Sequence, residues 1–460
     1  MFTRRSFLVG STALMAANPM LAAAQPRGNI LRASTANMRL LPADYPETGI
    51  WGFGGTMPGT EIRVKKGDTV QVTLENDLPQ ATSIHWHGIK IDNAMDGVSG
   101  LTQAAVPTGQ SFNYDFVAPD AGTYWYHAHN RSFEQVARGL YGALIVEERE
   151  ALDIDREEVL VLDDWILDPQ TGQIDSNFDA THARSHAGRI GNFVATNGIA
   201  GLSLSAQKNE RLRLRIINAA NARLFELRLD GLEGWTVALD GMPLDTPEAF
   251  AGSIILGPAQ RADLIVDVVA EPGETANLVR IDQQEGFSQV AFEVNGQASV
   301  TRRASPAALP PNDHQMVDLA NARVFNLLME GGAMGGLRTA YYQGKNLSFR
   351  QLVEAGQFWA FNGSADGLDG VPLAELARGE TARLTIYNDT SFPHAMHLHG
   401  MHFHEVLEND VLGPLRDTSL IFGGESREIA FVADNPGKWL FHCHMLSHAA
   451  SGMMTRVLVS

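Results

Sequence analysis

At 460 residues the chain is too long for one hydrophobic core, and its length implies two to four domains. Its apolar content of 44% and charged content of 19% are those of a soluble globular protein, and a formal net charge of −18 argues against nucleic acid or an anionic membrane surface as partner. A single cysteine, Cys443, excludes an internal disulfide and leaves an unpaired thiol that needs a reason, which metal ligation supplies.

Residues 1–24 read as an export signal. Thr3-Arg4-Arg5-Ser6-Phe7-Leu8 is a twin-arginine pattern, followed by an apolar stretch to Leu21 and a small-residue cleavage site at Ala22-Ala23-Ala24. The apolar run is short and broken by Asn18 and Pro19, so no stable membrane insertion is expected. The expectation is delivery to the periplasm by the twin-arginine export machinery, which carries folded proteins and so suits one that takes up a cofactor before export.

Strand-like runs with alternating polar and apolar residues then recur, among them Glu61 to Lys65, Thr69 to Leu74, Ser111 to Phe116 and Gly122 to Tyr126, separated by turn signals such as Lys66-Gly67-Asp68. Short strands at this spacing indicate an all-β sandwich or barrel. The grammar restarts twice. Val64 to Asn76, with its turn Lys66-Gly67-Asp68, is echoed by Leu376 to Asn388 and, more faintly, by Arg211 to Asn218. Each is an alternating strand closing on an asparagine. We read three diverged copies of one β-domain, at 26–150, 151–305 and 306–460. Ala304 to Pro311 is the expected linker before the third, and Gly331 to Gly336 an expected flexible segment.

The first and third copies run into histidines: His85-Trp86-His87-Gly88 and His127-Ala128-His129, then His394-Ala395-Met396-His397-Leu398-His399-Gly400 and His442-Cys443-His444 with His448. On an extended strand, alternate side chains share a face. Each His-x-His therefore presents two imidazoles together, and four such pairs suit a polynuclear metal site shared between the first and last domains. Cys443 points opposite to His442 and His444. His394, three residues before His397, takes that same opposite side. His394, Cys443, His448 and Met453 then form a second ligand set, that of a blue-copper electron-transfer centre, back to back with the first. Of the remaining histidines, His182 and His186 are read as solvated residues in a polar loop, and His402 and His404 as strand residues near the site. His314 receives no role.

These four motifs, their order and their spacing resemble the multicopper oxidases over essentially the whole mature chain. The resemblance implies three cupredoxin-like Greek-key domains and four coppers: a type 1 ion on His394, Cys443, His448 and Met453, a type 2 ion on His85 and His397, and a type 3 pair on His87, His127, His129, His399, His442 and His444. It also implies the chemistry: a donor gives single electrons to the type 1 centre, they pass through Cys443 to His442 and His444, and O2 is reduced to water. Asp96 matches an acidic position that delivers protons in the family, or is simply a turn residue before Gly97. The carboxylate that many relatives carry after the type 1 histidine is here Ala449. Phe392 and Thr390 stand where cuprous oxidases of the family place Met and Asp, and only Met329 and Met334 occupy the region of their Met-rich insertion. Thioethers are what Cu(I) binding needs. The expectation is therefore a laccase-like oxidase of phenols or aromatic amines. A metal-ion oxidase is the alternative within the class, and a copper-buffering protein the alternative outside it.

Overall fold

A computed structural model describes residues 28–460. The export signal expected at 1–24 lies outside them. The described chain is almost wholly β and forms three two-sheet sandwiches: four strands on four, then six on five, then six on five with a small added hairpin, Thr339–Tyr342 with Lys345–Ser348. Among the described residues no helix is long and apolar enough to cross a membrane.

The repeat read in the sequence is a repeat of hydrogen bonding. In each sandwich an opening strand pairs in parallel with the motif strand: Asn29–Met38 with Thr69–Asn76, Arg156–Trp165 with Arg211–Asn218, and Arg323–Gly331 with Thr381–Asn388. The terminal asparagines Asn76, Asn218 and Asn388 are all buried. Each donates its side-chain amide to two carbonyls and accepts the amide two residues on. For Asn388 these are Phe392 (2.8 Å), Ile421 (3.0 Å) and Thr390 (3.0 Å). Asn76 and Asn218 do the same work for their own loops. A buried amide so satisfied pins the loop that follows, whereas an unsatisfied one would cost about 1–3 kcal/mol.

Alternation decides what faces the core. In Ile84–His87 and Gly122–Ala128 the residues Ile84, Trp86, Tyr124, Tyr126 and Ala128 enter the first core, so His85, His87, Trp125 and His127 take the opposite face. The middle sandwich does likewise. Leu212, Leu214 and Ile216 fill its core, while Arg211, Arg213 and Arg215 are fully buried on the other side. There Arg213 meets Glu148 (2.9 Å) and Asp263 (2.6 Å), and Arg215 meets Glu157 (2.8 Å) and Thr123 Oγ1 (3.0 Å), joining first and second sandwiches.

Three expectations need correction. The 179–191 stretch is not simply a polar loop: Thr181–Ser185 forms one helical turn, with Ala183 and Ser185 buried. The glycine segment 331–336 is tied down, Gly332 N donating to Phe358 O (2.9 Å) and Ala333 N to Ser185 O (2.8 Å). Of the two expected strand residues, His404 lies in Phe403–Val406, a strand of the six-stranded sheet of the third sandwich and not of the sheet that carries His394–Leu398, and His402 precedes that strand.

Candidate metal centre

The strand Gly437–Cys443 pairs with His394–Leu398 so that Met396 lies opposite Cys443 and His397 opposite His442. This register sets the two sides of the site. On one side Cys443 Sγ lies 3.5 Å from His394 Nδ1 and 4.0 Å from His448 Nδ1. All three residues are fully buried, His448 being carried by the short helix Leu446–Ala449. Met453 is in the same core cluster, and its carbonyl accepts the Cys443 amide at 3.0 Å. Gly452 permits this return: a Cβ there would lie 2.1 Å from the Trp359 carbonyl. Burial pushes the Cys443 thiol up to about 12, so the side chain holds its proton until a metal replaces it.

On the other side the rings of His85, His87, His127, His129, His397, His399, His442 and His444 converge. His399 Nε2 faces His442 Nε2 at 3.2 Å within the third sandwich, and His444 Nε2 faces His127 Nε2 at 3.3 Å across the two outer sandwiches. His85, His397 and His399 form one close group, His85, His87 and His127 another, and His129, His399 and His442 a third. Backbone carbonyls fix several tautomers: Nδ1 of His85 donates to Asp96 O (2.9 Å), of His397 to Asp417 O (2.9 Å), of His127 to Ala128 O (3.1 Å) and of His442 to Cys443 O (3.0 Å). Nε2 of each ring is thereby left as a lone pair aimed inward.

Two carboxylates border this cluster. Asp96, at the end of a turn capped by Asp92, places both oxygens 3.1 Å from His399 Nδ1 and one 3.1 Å from His85 Nδ1. The turn needs Gly97, whose φ is +80° and whose Cβ would lie 1.7 Å from Ile84 O. The second, Asp417, was not singled out in the sequence. It lies 3.3 Å from His87 Nε2 and is clamped by both arms of the buried Arg261 at 2.9 and 2.6 Å. Burial alone would raise its pKa, but Arg261, His87 and His397 hold it well below the ordinary carboxylate range.

Two more residues at the cysteine side carried no sequence signal for this role. Trp359 packs its ring 4.5 Å from that of His448 and 5.1 Å from that of His394. Thr390, considered only as the place of a missing Asp, accepts the Nε2 proton of His394 at 2.9 Å and donates to Asn388 Oδ1 at 2.7 Å. That leaves Nδ1 of His394 free toward the sulfur.

The donor set fits copper. Burial holds His87, His127, His394, His399, His442 and His444 well below the usual imidazole range, so they are neutral. Nε2 of His85, His129 and His397 and Nδ1 of His87 and His444 are buried with no hydrogen-bond partner among the described residues. Buried lone pairs facing one another at hydrogen-bond distance are costly unless a cation lies between them. A thiol with two imidazoles, joined through one peptide strand to an all-imidazole cluster, defines a copper oxidoreductase that collects electrons singly and spends them together.

Comparison with known proteins agrees. Residues 34–151, 156–291 and 341–460 each match a family model described as multicopper oxidase. The multicopper oxidase MmcO of Mycobacterium tuberculosis (strain ATCC 25618 / H37Rv) is 30% identical, over 97% of this chain and 91% of its own length. Among solved structures, a multi-copper oxidase from Pseudomonas Thermotolerans superposes with a TM-score of 0.82 at 31% identity, covering 95% of this chain and 100% of that one. Lac15 from a marine microbial metagenome gives 0.76 at 39%, covering 94% and 100%. The chain belongs to the multicopper oxidase family: it is an O2-reducing oxidoreductase with three cupredoxin domains and copper-binding histidine clusters.

Proposed function

We propose a laccase-like oxidase that takes electrons from phenols or aromatic amines and holds four coppers per chain. Type 1 is assigned to His394, Cys443, His448 and Met453, type 2 to His85 and His397, and type 3 to His87, His127, His129, His399, His442 and His444. The observation that carries it is the two-sided strand: Cys443 Sγ beside His394 and His448, His442 and His444 turned to the opposite cluster. When bound, copper supplies one-electron acceptance at Cys443 and four-electron reduction of O2 at the imidazole cluster. Cys443 is bonded through the main chain to both His442 and His444, and its carbonyl accepts the His442 Nδ1 proton at 3.0 Å, giving a second short path. Asp96 holds His85 and His399 in orientation and offers the cluster a carboxylate through which protons can pass.

For the donor, a cavity of about 270 Å³ abuts the loop after His448, lined by Ala449, Ala450, Gly452 and Met454 and by Tyr342, Gln357, Asp366 and Asp369. It is at the small end for organic ligands. Its two carboxylates can take the proton a phenol sheds with its electron. A metal-ion oxidase has one observation in its favour: His182 and His186 stack at 4.2 Å on the helical turn whose main chain covers His448. Export to the periplasm by the twin-arginine route is part of the proposal and rests on residues 1–24. Replacing Arg4 and Arg5 by lysine is expected to retain the protein in the cytoplasm.

The test is oxygen uptake by copper-loaded protein with 2,6-dimethoxyphenol, compared with Cu(I) in the presence and absence of added Cu(II). Preferred turnover of the phenol supports the laccase-like reading. Turnover of Cu(I) alone replaces it with a metal-ion oxidase, and copper binding without uptake replaces it with a buffering protein. Cys443→Ser is expected to abolish blue colour and uptake together.

A further inference from the structure

Three histidines remain outside the copper cluster and away from the helical turn at 181–185: His314, His402 and His404. They line one cavity of about 30 Å³ where all three sandwiches meet, together with Asp120 of the first and Met242 of the second. That is room for one ion and little else. His314 belongs to the stretch after the linker, and this stretch is not loose. Asn312 bonds the main chain of Ala121 in both directions, Nδ2 to the carbonyl at 2.8 Å and the amide to Oδ1 at 3.0 Å. His314 is thus strapped over the seam two residues on.

The ring chemistry matches that of the copper cluster. His404 Nδ1 donates to Gly413 O at 2.7 Å and His314 Nδ1 to Asn312 O at 3.3 Å, which leaves Nε2 of both rings as the ligand nitrogen. Nε2 of His404 and of His402 is buried without a partner among the described residues. The His314 and His404 rings are 6.0 Å apart, the separation of His397 and His444 in the copper cluster. Burial lowers the protonation of His404, and Asp245 is the carboxylate whose charge reaches it. Asp245 shares an adjoining cavity with His314. Neither Asp245 nor the buried Asp120 has a hydrogen-bonded or ion-paired side-chain partner among the described residues. Lys90, the cation lining the cavity, is paired with Asp434.

We infer that this seam is a further divalent transition-metal site, taking Zn(II) or Cu(II) through Nε2 of His314 and His404 with Asp245 as the carboxylate ligand. Unlike the donors of the copper clusters, these do not all lie within 4.8 Å of one another. His314 is exposed, so its ring is free to swing in, and the bound cation then staples the strap to the second and third sandwiches. Imidazole and carboxylate are ligands for both ions.

The test is calorimetric titration of Zn(II) into copper-loaded protein. One zinc per chain beyond the resident copper is expected, with a rise in melting temperature. His314→Ala and His404→Ala should each weaken zinc binding at least tenfold, and Asp245→Asn should also weaken it. His314→Ala alters only an exposed ring, so its blue colour and oxygen uptake should be unchanged and certify its fold. Zinc is redox-inert, so the outcome is independent of which donor the oxidase uses. Wild-type protein that binds no zinc beyond its copper, or a folded His314→Ala that binds it as tightly as wild type, overturns the site.

Discussion

Thr390→Val tests whether the cysteine-side centre is held by its surroundings or merely by its ligands. The side chain is buried, accepts the His394 Nε2 proton at 2.9 Å and donates to Asn388 Oδ1 at 2.7 Å. Valine keeps the shape and removes the oxygen. Asn388 Oδ1 retains the Thr390 amide at 3.0 Å, so its loss is partial. The His394 N–H is orphaned in a site with no exposure, which costs about 1–3 kcal/mol. The imidazole also loses the bond that fixes its tautomer, and disturbing such an outer partner lowers metal affinity about 10–100-fold. Urea denaturation of copper-free protein reads the first effect, and survival of the blue colour against a chelator reads the second. Thr390→Ser, which restores the hydroxyl, should recover most of both. If Thr390→Val matches wild type within about 0.5 kcal/mol, the range of neutral substitutions, and holds copper equally well, the hydrogen bond does not orient His394.

Arg261→Met leaves the Asp417 carboxylate buried without its cation, and a loss of about 3–5 kcal/mol is expected in denaturant. Adding Asp417→Asn should return part of it, and a stable single variant would contradict the clamp. Asp96→Asn keeps the turn and the shape but removes the charge beside His85 and His399. Oxygen uptake should fall about 10²–10⁴-fold at unchanged copper content, and unaltered uptake would leave Asp96 a turn residue only. Copper-free protein should be acid-labile. Burial pushes the ring of His448 down to about 3, against about 6.5 unfolded, so the unfolded chain takes the proton first. Stability is full above pH 6.5 and is lost as pH falls toward 3, His448 alone costing roughly 2 kcal/mol at pH 5. The other buried rings add in the same direction. A denaturation midpoint that does not move between pH 7 and pH 5 would refute this.

The two-sided strand was legible because strand parity is a local rule. Cys443 with a histidine on each side needs only an extended backbone to serve two sites, and the register with His394–Leu398 supplies the rest. The repeated asparagine was legible as a pattern, but its work, bridging two carbonyls and an amide, is visible only in three dimensions. Asp417 and Trp359 were not legible. Each is an ordinary residue in an ordinary strand or turn, and what gives it a role is a partner far along the chain: Arg261 for one, His394 and His448 for the other. His182 is exposed and His186 half-buried, as their polar neighbours indicated, but nothing in the sequence showed that the turn beside them is held down by Ser447 Oγ and Trp359 Nε1, which donate to the carbonyls of Ala183 (2.9 Å) and Arg184 (2.6 Å).

The middle sandwich carries none of the His-x-His pairs, so the sequence gives it no ligand. Arg261 gives it another part. Its Nε donates to Thr123 O of the first sandwich at 3.1 Å, while its two terminal nitrogens hold Asp417 of the third. Asp417 in turn meets His87 and His397, one ring from each outer sandwich. A single buried guanidinium thus ties together the two halves whose imidazoles must converge. The glycine of the first His-Trp-His-Gly motif fits the same account. A Cβ on Gly88 would lie 2.2 Å from Arg261 Nη2 and 2.4 Å from Asp417 Oδ2, so the residue after His87 must be small for the clamp to close. A set of neutral, buried, mutually facing imidazoles has little of its own to hold it together before copper arrives. The ion pair beside it is bidentate and fully enclosed, and it has the geometry to keep the outer sandwiches in register while the site is still empty of metal.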